Sequence, residues 1–253
     1  ELLVEPLAFE NSTDVLSKLG ELRIPGKQWM DVSTAPLLKL KSADDTKNNT
    51  YYLLIDQHHL ILDHIGLEKV IVEIEHYLSG NKENLPTPVL YRDFIGHTLH
   101  SQATNDSEFY FRNLFENIEE PTYPFDLSEA KGNASDIIES SIILSDELSN
   151  ELREVATRLG TSPAVLFHAA YGLVVGKCSN ADYAIFGSLF SGRLQGALNS
   201  ADSLGMFINT LPFYVSLDRN ATEYIEEVKQ RLQDLLPYEQ TPLTNIQGWS
   251  EIS

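Results

Sequence analysis

The stretch from Tyr51 to Leu78 constrains this chain more than any other. It opens on an apolar run, Tyr51-Tyr52-Leu53-Leu54-Ile55, with the polar tract Ser42 to Thr50 before it and Asp56 after it. A short apolar run bounded in this way reads as a strand. From Ile65 onward the spacing changes: Leu67, Val70, Ile71, Ile74 and Leu78 fall on one helical face, and Ser79-Gly80-Asn81 closes the helix. A strand that runs straight into an amphipathic helix buries both apolar surfaces when the helix lies on a sheet. The fold class expected is therefore layered α/β or α+β.

The rest of the chain fits that class. Residues 12–19 read as a short helix and Ser33 to Lys41 as a strand, with Ser42 to Thr50 as the hairpin loop into the Tyr51 strand. Helices are expected from Tyr91, over Ser107 to Phe115, from the cap Ser145 to Leu159, and over Ala164 to Gly176 behind the cap pair Ser162-Pro163. A further helix follows Asn220, with Tyr224, Ile225, Val228, Leu232, Leu235 and Leu236 on one face. Strands are expected over Ile137 to Leu144, Tyr183 to Phe190 and Phe207 to Leu217. Pro121, Pro124 and Gly132-Asn133 mark a change of character over residues 117–135, which divides the chain into 1–125 and 126–253.

Composition removes several function classes. Eighteen Lys+Arg stand against 37 Asp+Glu, a formal net charge of -19, so no basic surplus exists to replace the counterions of a nucleic acid. The single cysteine, Cys178, rules out an intramolecular disulfide and fits a reducing compartment. No apolar run reaches the roughly 18 residues a membrane span needs, and Glu1-Leu2-Leu3-Val4-Glu5 has no signal-peptide character. A cytoplasmic protein without membrane or nucleic-acid partners is the expectation.

Chemistry concentrates in His58-His59-Leu60-Ile61-Leu62-Asp63-His64, at the end of the Tyr51 strand. An imidazole titrates near neutral pH and can take a proton and return it. A zinc site would need three or four ligands, but adjacent strand residues point to opposite faces, so His58 and His59 do not readily share one ion. No Gly-x-Ser-x-Gly elbow supports a serine triad. A general base at His59, with His58 turned away and Asp63 holding local geometry, fits the pattern best.

These residues resemble the His-His-x-x-x-Asp-Gly motif of nonribosomal peptide synthetase condensation domains. Tyr91-Arg92-Asp93-Phe94 is similar to the Tyr-x-Asp-Phe/Tyr motif of that family. Gly187 to Arg193 is similar to its Gly-x-x-x-x-Gly-Arg stretch, and Gly205-Met206-Phe207-Ile208-Asn209-Thr210 to its Gly-x-Phe-Val/Ile-Asn-Thr strand. Tyr238-Glu239-Gln240-Thr241-Pro242 resembles Tyr-Glu-His-x-Pro. The matches fall in order over residues 33 to 253. The resemblance implies two chloramphenicol-acetyltransferase-like subdomains in a V, both incomplete in this chain. It also implies an acyltransferase that joins a donor acyl or peptidyl thioester to an acceptor aminoacyl thioester in antibiotic or secondary-metabolite biosynthesis.

By position, the resemblance makes His59 the catalytic residue and gives His58, Asp63 and Arg193 structural roles in the site, Arg193 being the expected partner of Asp63. It places His64, Gly66 and Asn209 along the substrate tunnel. It implies no metal and no bound cofactor, since the 4′-phosphopantetheine arms belong to donor and acceptor carrier proteins; an adenylation domain is the expected neighbour. Two departures stand out. His64 occupies the motif's glycine position, and the family's outer motifs are missing at both ends. The chain is expected to be the middle of such a domain, exposing sheet edges and apolar faces when alone. Relatives that epimerise carry a Ser-Trp pair after the Asp, where this chain has Ile65-Gly66-Leu67. Ester-forming members and non-catalytic recruiting platforms remain alternatives.

Overall fold

The computed structural model describes residues 3–9, 14–23, 29–118, 120–128, 140–193 and 202–250. They group into two compact units. The first holds Glu1–Thr87 and Leu204–Met206; the second holds Pro88–Ala130, Ser140–Ser203 and Phe207–Ser253. The first break therefore falls at Thr87–Pro88, whereas the composition of the chain changes over 117–135.

The first unit is built on a sheet of β1 (Val4–Pro6), β2 (Leu38–Asp45) and β3 (Thr50–Gln57), in that order. β1 runs parallel to β2, and β2 pairs antiparallel with β3 from Leu38↔Gln57 to Asp45↔Thr50. This register puts Ala43 opposite Tyr52, on the face that meets Val15, Leu19 and Leu22 of helix α1 (Val15–Glu21) and its C-cap. β2 starts later than the sequence pattern suggests. Asp31 accepts from the Ser33 N–H and hydroxyl and from the Thr34 hydroxyl, which folds 31–34 into a turn and lowers the Asp31 pKa. β2 also runs on to Asp45, because the Asp45 carboxylate gathers the Asn48 N–H and side-chain amide and confines the reversal to 46–49. Helix α2 (His64–Leu78) then follows β3.

The second unit is organised around the hairpin of β4 (Tyr183–Phe190) and β5 (Asn209–Ser216). Alternation along β5 sends Leu211, Phe213 and Val215 inward with no exposed surface. Helices α6 (Pro163–Cys178) and α7 (Ala221–Leu235) cover that face with Val165, Ala169, Val175, Val228 and Leu235. Tyr224 donates to the Ala169 carbonyl at 2.8 Å, and burial pushes its hydroxyl up to about 12. Along the outer edge of β4, the Thr122 hydroxyl accepts from Ile185 N–H at 3.1 Å and donates to Ile185 C=O at 2.7 Å.

Helices α3 (Tyr91–Thr104), α4 (Ser107–Phe115), α5 (Asp146–Arg158) and α8 (Leu243–Trp249) complete the unit. Asp106 and Ser145 cap α4 and α5 by accepting from Phe109 and Leu148 N–H. α8 was not expected, because a seven-residue helix behind Pro242 has too few residues to show a period. Of the strand expected at Ile137 to Leu144, residues 137–139 lie outside the described part, and Ser140 to Leu144 is in no strand, with Ile142 and Ile143 88% and 96% exposed. β-branched residues favour extended backbone, but a strand also needs a neighbour for its main-chain groups.

Candidate active site

The histidine loop belongs to the first unit. β3 ends at Gln57, and the His58 N–H still donates to Leu37 C=O at 3.0 Å. The chain then turns, with Ile61 N–H bonded to His58 C=O at 3.2 Å. His58 Nδ1 accepts from Leu60 N–H at 3.1 Å, so this nitrogen carries no proton. The His58 side chain borders a cleft of about 730 Å³ that also contains Trp29, Lys39, Lys41 and Asp56, the last two paired at 3.0 Å. His59 stands on the turn and is exposed. Asp63 has no exposed surface; its carboxylate caps α2 by accepting from Gly66 N–H at 2.8 Å, and its own N–H donates to Gly205 C=O at 3.2 Å. His64, the first residue of α2, is exposed, and Gly66 is buried.

Two of the four ionisable groups in this loop are thus tied into its backbone, and two are left outward. His58 and Asp63 build the shape; His59 and His64 face out. Among the described residues, no three His, Cys, Asp or Glu side chains converge in a way that suits a metal ion.

The other singled-out residues meet in the second unit. The Arg193 guanidinium lies 3.8 Å from the centre of the Phe207 ring and donates to Ser203 C=O at 3.1 Å. Phe207 also contacts Phe94, at 4.3 Å between centroids, and meets Tyr91 edge-on at 5.2 Å. Gln240 donates to Phe207 C=O at 2.9 Å and accepts on its own carbonyl from Gln102 at 2.8 Å. Because Phe207 C=O turns to Gln240, β5 begins only at Asn209. Asn209 spends its side-chain amide on the carbonyls of Glu239 and Thr241, at 2.9 and 2.8 Å. Asn209→Leu leaves both carbonyls without that donor and is expected to cost about 1–3 kcal/mol. Urea denaturation should show a lower midpoint at unchanged slope.

One pair has no signal in the sequence. His168 on α6 bonds Ala164 C=O through Nδ1 and the Ser188 hydroxyl through Nε2, both at 2.8 Å. Ser188 is only 3% exposed, which closes this hydroxyl to solvent.

With this geometry in place, comparison with known proteins is decisive. The sequence profile of the condensation domain matches residues 22–253. The chain belongs to the condensation domain family. Malpibaldin synthetase of Mortierella alpina is 33% identical over 239 residues, which is 94% of this chain and 4% of that synthetase. Bacitracin synthase 3 of Bacillus licheniformis is 24% identical over 214 residues, 82% of this chain and 3% of that synthase. Relatives of this kind make it a condensation domain of the nonribosomal peptide synthetase type, a family of acyl-transferring enzymes.

Solved structures give the same fold. The epimerization domain of the third module of tyrocidine synthetase B superposes with a TM-score of 0.75 at 19% identity, over 93% of this chain and 56% of that one. The first condensation domain of the CDA synthetase superposes with a TM-score of 0.73 at 15% identity, over 97% and 56%. The chain therefore spans little more than half of the solved domains it resembles, and the chloramphenicol-acetyltransferase-like fold of condensation domains is present in part.

The stretch Gly205 to Thr210 is divided between the two units, Gly205 and Met206 in the first and the rest in the second. Asp63 lies in the first unit and Arg193 in the second.

Proposed function

We propose that this condensation domain forms an amide bond between a donor acyl or peptidyl thioester and an acceptor aminoacyl thioester, with His59 at the reacting atoms. The observation that carries this reading is the division of labour in the loop: His58 and Asp63 are committed to its backbone, and His59 is left exposed on the turn. The attacking amine loses a proton as the C–N bond forms, the C–S bond breaks, and the leaving thiol takes up a proton. His59 accepts or orients that proton; since a free α-amine titrates near about 8, orientation contributes much of the effect. Asp63 holds the shape of the histidine loop and His64 stands exposed beside it, while Arg193 and Asn209 brace the second unit. Donor and acceptor carrier proteins bring the thioesters on their phosphopantetheine arms, and an adenylation domain loads the acceptor.

Epimerisation is the second reading, favoured by the likeness in fold to an epimerization domain. Ile65-Gly66-Leu67, in place of the Ser-Trp pair of epimerising relatives, supports condensation instead. The test loads both carriers of the full-length synthetase and follows transfer by intact-protein mass spectrometry. His59→Ala is expected to slow transfer by about 100-fold or more. Equal transfer in native and variant proteins would sink the proposal, and inversion of the donor without transfer would replace it with epimerisation.

A further inference from the structure

The glycine position of the family motif is occupied here by an exposed histidine, His64, and the loop's glycine stands two residues later. Gly66 is buried in the first turn of α2. A Cβ built on it would overlap Leu62 Cδ1, lie 2.8 Å from Leu62 Cγ and lie 3.2 Å from Asp63 Oδ1. Leu62 is 6% exposed, so its side chain has little free space to swing into. The Gly66 N–H is the group that the Asp63 carboxylate caps. The side chains of two consecutive loop residues, Leu62 and Asp63, therefore seat against one glycine.

We infer that Gly66 is a positioning residue for His59. Its lack of a side chain lets Leu62 and Asp63 seat on α2, and that seating fixes the 58–61 turn on which His59 stands. The inference rests on the acyl-transfer reading and deepens it: the close approach that demands glycine is met at 66, which leaves position 64 open to a histidine. In an exposed helix interior alanine is favoured over glycine. Here the added methyl displaces Leu62, pulls Asp63 from its cap and moves the imidazole. A shift of about 1 Å at a reacting group costs about 100-fold in rate.

Three variants of the full-length synthetase test this: Gly66→Ala, Leu62→Ala and the two combined. Gly66→Ala is expected to lower kcat about 100-fold while the apparent KM for each carrier stays within about twofold. Leu62→Ala makes room for the new methyl, so the double variant is expected to regain at least about tenfold over Gly66→Ala alone. A second measurement does not depend on turnover. The rate at which diethyl pyrocarbonate modifies His59, read by peptide mass spectrometry, is expected to change in Gly66→Ala and to return toward native in the double variant. Native turnover in Gly66→Ala, or no regain in the folded double variant, would overturn the inference. So would unchanged His59 modification in a folded Gly66→Ala protein. If Gly66→Ala does not fold, the double variant decides: native-like modification of His59 supports the inference, and failure to fold overturns it. If His59→Ala leaves transfer intact, the acyl-transfer reading fails by itself, and the modification rates still decide the role of Gly66.

Discussion

Phe207→Ala melts far below the native protein. The ring has no exposed surface and is held by Phe94, Tyr91 and the Arg193 guanidinium. Truncation removes the apolar contact and leaves a cavity between Tyr91 and Phe94 of α3 and Arg193, which follows β4. Such Phe→Ala changes cost about 3–5 kcal/mol, which for a chain of this size lowers Tm on the order of 10 °C. The loss is also chemical in kind. Arg193 is 9% exposed, and without the ring its charge keeps the Ser203 carbonyl but loses its aromatic platform. Phe109→Ala is the matched control. That ring is 65% exposed, and the change should stay within about 0.5 kcal/mol. Calorimetry on both variants checks the pair; a Phe207→Ala protein that melts with the native one would mean that the aromatic group is not a structural centre.

Gly192→Ala is expected to be as damaging by a different route. Gly192 has φ +67, in the left-handed region, where a side chain costs about 1–2 kcal/mol. A Cβ there would also overlap Phe207 O and Gln240 Nε2 and lie 2.8 Å from the Phe207 carbonyl carbon. Main chain cannot rotate away as a side chain can, and overpacking of this sort adds about 1–3 kcal/mol. The Gln240–Phe207 hydrogen bond occupies the same space, so it is expected to break. The checks are a large fall in the denaturation midpoint and loss of protection of the Gln240 side-chain amide by NMR. A midpoint within the error of the native protein would show that the loop has room to relax.

Much of this architecture was legible in the sequence where a local signal existed. Tyr183 to Phe190 and Ser107 to Phe115 coincide with their elements, because a short run rich in apolar and aromatic residues in one and an amphipathic run in the other specify them locally. Asn220 and Ser145 are the caps that their side chains suggested. The limits of β2 were missed because two aspartates, Asp31 and Asp45, set where the extended chain begins and ends, through bonds to residues two or three positions away. β1 was missed because three residues, Val4–Pro6, carry no pattern of their own; only pairing with Leu40 to Ser42 makes them a strand. At the site, the sequence singled out the histidines and Asp63 by position. It did not reveal that His58 bonds back to Leu60, that Asn209 clamps two carbonyls, or that Gln240 ties Phe207 to α3. Those contacts join residues whose separation along the chain says nothing about their approach.

The Thr122 hydroxyl has a consequence for how this protein meets others. Ile185 directs both of its main-chain groups away from β5, and the threonine takes both of them. A strand arriving from another molecule would find neither donor nor acceptor at that residue. At Ile185 the border of the hairpin is thus blunted by a side chain, where many sheets rely on a charged or proline-bearing edge to refuse the same guest.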